Sequence, residues 1–246
     1  MIRALAVLAT LVAGGAEASC RQALALALDR SGSVDEREYR LQISGLARAL
    51  GSETVRARLL AMPDAPVRLM VFEWSGPSDQ LTLLPWTAID SAATLDRVVE
   101  TLARTERRPA TPGTALGTAM ALGAEALREQ GTCWKRTLDI SGDGKSNLGP
   151  RPADVKPDLV ARGITVNGLV IGVDDAAIGD TPQADVGELS AYYRAEVIVG
   201  ADAFVMTALG YADYARAMEL KLLRELEGLV LSRLAEPDAA KGPRGR

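Results

Sequence analysis

Three short stretches of this 246-residue chain gather oxygen donors beside glycine: Asp29-Arg30-Ser31-Gly32-Ser33, Thr111-Pro112-Gly113-Thr114 and Ser141-Gly142-Asp143-Gly144-Lys145-Ser146. Carboxylate and hydroxyl oxygens are hard donors, suited to Mg²⁺, Mn²⁺ or Ca²⁺. On an extended loop Asp29, Ser31 and Ser33 point the same way, and the glycines allow tight turns. If Asp29 and Asp143 meet, their charges repel, and a cation relieves that repulsion. The same residues also have plainer uses. Ser31, Ser33 or Thr114 could cap a following helix, and Asp143-Gly144 is a common turn pair.

Composition removes the competing chemistries. Histidine is absent, which excludes Ser-His-Asp and Cys-His machinery and His-ligated zinc. Cys20 and Cys133 are the only cysteines, too few for a cysteine metal cluster. Net charge is −4, and no basic patch marks a nucleic-acid partner.

The elements that must carry these loops follow from the apolar pattern. Arg3, the apolar run Leu5 to Ala13 and Ala16-Glu17-Ala18 read as a signal peptide over residues 1–18, cleaved after Ala18. The run is too short to span a bilayer. The mature product is expected in the periplasm or secreted, with no membrane insertion. Residues 19–234 read as one domain, and 235–246 as a disordered Pro- and Gly-rich tail. Strands are expected at Leu24–Leu28, Val67–Phe72, Leu81–Leu84, Thr137–Ile140, Ile164–Ile171 and Glu196–Val199. The second and third are close enough to pair as an antiparallel hairpin. Helices are expected around Tyr39–Leu50 and over Ser91–Thr105, Ala115–Glu129, Pro152–Arg162, Val186–Arg194 and Val205–Leu234. This alternation predicts an α/β fold: a doubly wound, mostly parallel six-stranded sheet with helices on both faces.

Ligands of such sheets bind outside the carboxyl ends of the strands, and the usual strand order sets the first and fourth strands side by side. The three loops then share one rim. Here the chain resembles the von Willebrand factor A superfamily. Asp29-x-Ser31-x-Ser33 is similar to its D-x-S-x-S signature, Gly113-Thr114 before an alanine-rich helix to its second loop, and Asp143-Gly144-x-Ser146 to its D-G-x-S loop. The resemblance implies a Rossmann-like von Willebrand factor A fold with a metal-ion-dependent adhesion site. By it, Ser31, Ser33 and Thr114 are direct ligands of a divalent cation, Mg²⁺ first and Mn²⁺ or Ca²⁺ otherwise. Asp29 and Asp143 act largely through water or as close acceptors behind them. It further implies a protein partner that offers an acidic group to the cation, and no catalysis. Thr111 and Thr118 compete with Thr114 for the ligand role. Many relatives have threonine where this chain has Gly142. The alternative is a Mg²⁺-dependent hydrolase of a phosphorylated substrate, with Lys145 steadying the phosphate. A nucleotide-binding fold fits poorly, because the first loop lacks a Gly-rich phosphate fingerprint.

Other residues carry weaker signals. Glu73, Trp74 and Ser75 end the second strand on the same rim, so Glu73 and Trp74 are possible partner contacts; the opposing reading packs Trp74 beneath the rim. Asp139 reads as a buried structural acceptor, Tyr192-Tyr193 as helix packing, and Asp174, Asp175, Asp180 and Asp185 as a solvated loop. Cys20 lies nine residues before Asp29, and Cys133 ten before Asp143. Neighbouring strands run about 4.8 Å apart, and a disulfide needs Cα atoms roughly 4.4–6.8 Å apart. A Cys20–Cys133 bridge at the lower end of the sheet is therefore expected, and export would keep it oxidised.

Overall fold

The computed structural model describes residues 20–172 and 182–234. The expected signal segment, the acidic residues Asp174, Asp175 and Asp180, the side chain of Asp185 and the tail 235–246 lie outside the described residues.

Six strands form one sheet in the order β3-β2-β1-β4-β5-β6. They are β1 (Cys20–Asp29), β2 (Val67–Trp74), β3 (Gln80–Ile89), β4 (Cys133–Gly142), β5 (Thr165–Ile171) and β6 (Val205–Ala208). All neighbours are parallel except β2 and β3, which pair antiparallel as expected. The helices are α1 (Glu36–Gly51), α2 (Glu53–Leu59), α3 (Ala92–Ala103), α4 (Leu116–Arg128), α5 (Pro152–Ala161), α6 (Pro182–Tyr192) and α7 (Tyr214–Leu234). This is the expected doubly wound α/β architecture.

Strand β1 is buried along its whole length, as a central parallel strand must be. Its two faces differ. Leu24, Leu26 and Leu28 join a core with Leu46, Leu50, Met218 and Leu222. Ala23, Ala25 and Ala27 join a second core with Met120, Leu127 and Ile140. Small side chains on the second face leave room for α4 to lie close to the sheet.

Two expected boundaries are corrected. Glu196–Val199 is not the sixth strand. Tyr193–Val197 winds as a π-helical turn that buries Tyr193 and Val197, and Val199 makes only an isolated bridge to Val166. The sixth strand is Val205–Ala208, against β5. The last helix therefore starts at Tyr214 rather than Val205. The second core rewards burying Tyr193 and Val197 over extending a polar-started segment at the edge.

Cys20 and Cys133 are register partners on β1 and β4 and form the expected disulfide, with Cα atoms 4.4 Å apart. Deeper in the sheet, Asp139 behaves as the buried structural group expected of it. Lys221 Nζ lies 2.6 Å from Asp139 Oδ1 and donates to Glu225 Oε1 at 2.7 Å. Asn167 Nδ2 donates to the same Glu225 oxygen at 2.7 Å.

This cluster holds two carboxylates and one ammonium, all buried. Burial raises the Asp139 carboxyl from 3.8 to about 7; Glu225 adds to the rise and Lys221 opposes it. The folded state thus keeps a proton that the unfolded chain releases. The stability this contributes is full below about pH 4 and is lost as pH climbs through about 7. In chelator, the urea midpoint should fall between pH 5 and 7.5, and less steeply in Asp139→Asn. Parallel slopes in the two proteins would contradict this assignment.

Candidate metal centre

The carboxyl ends of β1 and β4 bring the first and third loops together. Asp29 is the last residue of β1 and is fully buried. Its Oδ1 accepts the Ser31 backbone N–H at 2.7 Å, which folds the loop back over the strand end. Ser31 and Ser33 hydroxyls lie 3.0 Å apart. Ser33 Oγ donates to Asp143 Oδ1 at 2.7 Å. Asp143 follows Gly142 at the end of β4, and its Oδ2 accepts from Tyr211 Oη at 3.1 Å.

The plainer uses of these residues are taken by others. Asp35, in a reciprocal capping box with Glu38, caps α1, so neither Ser31 nor Ser33 does. Helix α4 starts after Ala115 with no side-chain cap, so Thr114 is not a cap either. None of these three hydroxyls is spent on a helix cap.

Thr114 is held on both sides. Its N–H donates to Asn147 Oδ1 at 2.9 Å, and its carbonyl accepts from Asn147 N at 3.0 Å and Ser146 Oγ at 3.2 Å. Its hydroxyl lies 3.9 Å from the position a Cβ would take on Gly144, next to Asp143. Thr118 instead turns its hydroxyl to Gly149, and the Thr111 side chain packs on Gly76. Thr114 is therefore the threonine that meets the third loop. Losing one such side-chain acceptor leaves a partly buried N–H unpaired, at a cost of about 1–3 kcal/mol. Asn147→Ala should lower the urea-derived stability by that amount; an unchanged midpoint would show that water replaces the amide.

Arg30 clamps the second loop to the strands. Its Nε lies 3.1 Å from Glu73 Oε2, and its Nη1 donates to the carbonyls of Arg108 at 2.7 Å and Pro109 at 3.1 Å. Ser75 assists: its hydroxyl donates to the carbonyls of Thr111 and Gly113, and its own carbonyl accepts from Ala115 N. Glu73 and Trp74, expected as possible partner contacts, are instead buried beneath the rim. Glu73 is buried between Arg30 and the Tyr39 hydroxyl, and Trp74 is fully buried beside Gly142. Lys145 pairs with Glu188 across the rim.

Electrostatics mark the site. Burial raises the Asp29 carboxyl from 3.8 to about 8, the charge of Asp143 adds to the rise, and the Ser31 hydrogen bonds oppose it. Burial likewise raises Asp143, against hydrogen bonds from Ser33 and Tyr211. Asp29 Oδ2 is buried with no hydrogen-bond partner. A fully buried carboxylate with an orphaned oxygen, a half-buried one and three hydroxyls fit a hard divalent cation. Among the described residues no three His, Cys, Asp or Glu side chains gather, so a cation here relies on hydroxyl donors.

Sequence reasoning missed three tyrosines. Tyr211 reaches Asp143 from a short turn, Tyr211–Asp213, before α7. Tyr192 Oη accepts the Ser146 N–H at 3.3 Å. Tyr193, read as helix packing, packs its ring on Gly168 and brings its hydroxyl beside Gly142. A Cβ at residue 142 would lie 2.6 Å from that hydroxyl, so the tyrosine in this position requires glycine there. No local pattern announces these contacts.

A family described as "Protein of unknown function (DUF1194)" matches residues 19–230. The chain belongs to the DUF1194 family. No curated protein matches it. Among solved structures, this DUF1194 chain is similar to proximal thread matrix protein 1 from the mussel byssus, with TM-score 0.57 and 16% identity over 86% of this chain and 49% of that one. It is also similar to the pilus adhesin SpaC from Lactobacillus rhamnosus GG, with TM-score 0.57 and 14% identity over 87% of this chain and 30% of that one. BatB from Bacteroides thetaiotaomicron matches with TM-score 0.53 and 16% identity over 85% and 98%. The chain thus spans about half of the mussel protein and under a third of the adhesin. One form of the mussel protein is described with a zinc-occupied MIDAS motif. At these identities the likeness establishes the fold alone: this chain has the von Willebrand factor A type of α/β sheet. No helix among the described residues is long and apolar enough to cross a membrane.

Proposed function

We propose that the chain is a metal-ion-dependent protein-binding module of the adhesion type. Ser31, Ser33 and Thr114 would hold a divalent cation through their hydroxyls, with Asp29 and Asp143 behind them. Mg²⁺ fits this donor set first, and Mn²⁺ or Ca²⁺ share its preference for oxygen. When bound, the cation supplies a Lewis-acidic position at which an acidic group of a partner protein can replace water. The chain does the rest: Asn147 and Ser146 fix Thr114, Arg30 and Ser75 fix its loop, and Ser33 bridges to Asp143.

The single observation that carries this reading is the orphaned, fully buried Asp29 Oδ2 in a site whose other carboxylate is tied to Ser33. Such a group is costly without a compensating charge. Binding rather than phosphoryl hydrolysis is favoured because Lys145 is already engaged by Glu188. The pilus adhesin supplies an adhesive precedent for the fold, and the zinc-occupied MIDAS motif of the mussel protein a metal-binding one. Export to the periplasm or beyond rests on the pattern of residues 1–18, and the disulfide suits that compartment.

Calorimetry with Mg²⁺ and Mn²⁺ on the mature chain should show one site, lost in Ser33→Ala. Affinity capture from the exporting cell's envelope should then recover a protein in Mg²⁺ and not in chelator. Absence of any divalent-cation binding at millimolar concentration refutes the reading.

A further inference from the structure

We propose that Tyr193 is a positioning residue of the cation site, its phenol donating to Asp29 Oδ2 across the space that Gly142 leaves open. This rests on the cation reading above and deepens it. Tyr193 and Asp29 are both fully buried, and Tyr193 Oη and Asp29 Oδ2 each lack a hydrogen-bond partner. They face the same gap. A Cβ built on Gly142 would lie 2.6 Å from the Tyr193 hydroxyl and 3.0 Å from Asp29 Oδ2. A second glycine completes the slot, because a Cβ on Gly168 would lie 2.8 Å from the Tyr193 ring. Gly142 and Gly168 lie on adjacent strands, and the two together admit ring and hydroxyl.

The backbone is shaped to match. Tyr193 opens the π-helical turn Tyr193–Val197, an uncommon conformation that is frequent at functional sites. Buried polar atoms are almost always paired, and leaving two unpaired side by side is doubly unfavourable. A phenol O–H is a donor and a carboxylate oxygen accepts, so each supplies what the other lacks. With Oδ1 fixed by the Ser31 N–H, a donor on Oδ2 sets the rotation of the carboxylate and favours its charged form. Groups that orient residues around a metal in this way typically change affinity about 10–100-fold when removed.

The test uses Mn²⁺ calorimetry on the mature chain with Tyr193→Phe, Gly142→Ser and the double variant. Tyr193→Phe should weaken Mn²⁺ binding at least about tenfold. Gly142→Ser alone should also weaken it, because the new side chain meets the tyrosine hydroxyl. In the double variant the serine hydroxyl replaces the lost phenol, and binding should recover most of the loss. A merely structural tyrosine would not be rescued by a serine on another strand. A metal-free readout keeps the tyrosine assignment separate from the cation reading: in chelator, Tyr193→Phe and Asp29→Asn should shift the unfolding midpoint non-additively. If wild type fails to bind Mn²⁺ yet this coupling is present, the cation reading falls and the Tyr193–Asp29 contact stands. Additive shifts, Mn²⁺ affinity of Tyr193→Phe within twofold of wild type, or a folded double variant no tighter than Tyr193→Phe would overturn the proposal.

Discussion

Asp29→Asn should abolish divalent-cation binding, weakening it by at least about a hundredfold, and yet raise the melting temperature of the metal-free protein. The two effects have one cause. Asp29 is fully buried, and burial followed by the charge of Asp143 raises its carboxyl to about 8. In the metal-free protein the side chain either stays charged beside Asp143 or holds a proton at neutral pH, and both states oppose folding. Asparagine keeps the acceptor for the Ser31 N–H, removes the charge and adds a donor on the Oδ2 side. Relief of a buried charge beside a second carboxylate is worth about 1–3 kcal/mol, and for a domain of this size each kcal/mol moves the midpoint by about 2–4 °C. With cation present the order should reverse, because only wild type gains binding energy. Melts in chelator and in excess Mn²⁺, beside calorimetry, read both effects. A variant less stable than wild type in chelator would mean that the Asp29 charge is already compensated in the folded protein and that the demand for a cation is absent.

That the site can be posed so sharply owes much to the sequence. The three loops stand out because each joins hydroxyl or carboxylate residues to glycine at a strand end, and β1 and β4 are long apolar runs. Even the disulfide follows from counting back along two parallel strands. Three kinds of information were not local. The Ser31 and Ser33 hydroxyls could be separated from a capping role only once Asp35 was seen to cap α1. Trp74 ends a strand on the rim, yet nothing in its neighbours reveals that Gly142 opens space behind it. Tyr193 and Tyr211 approach from 50 and 68 residues away from Asp143, so no spacing links them to it. The sixth strand was misplaced for a related reason. Val205–Ala208 is a four-residue edge strand fused in pattern to the helix after it, while Glu196–Val199 looks extended but gains more by burying Tyr193 and Val197.

The Cys20–Cys133 bridge should matter greatly for stability and not at all for the cation. It joins residues 113 apart, and closing a loop of about 100 residues removes unfolded-chain entropy worth about 4.7 kcal/mol on the chain-entropy account. At about 2–4 °C per kcal/mol, Cys20→Ala with Cys133→Ala should melt roughly 10–20 °C below wild type. The bridge sits at the first residues of β1 and β4, whereas Asp29 and Gly142 are their last. Ten residues of strand at about 3.3 Å each put the two ends roughly 30 Å apart. The sheet between them is buried on both sides and paired in register from residue 22 to 28, so it does not need the bridge to hold its upper end. Mn²⁺ affinity of the double alanine variant should therefore equal that of wild type at temperatures where both are folded. If affinity falls with the bridge, the upper rim is not independently ordered, and the strand ends must be held in place by the covalent link rather than by the two cores that flank the sheet.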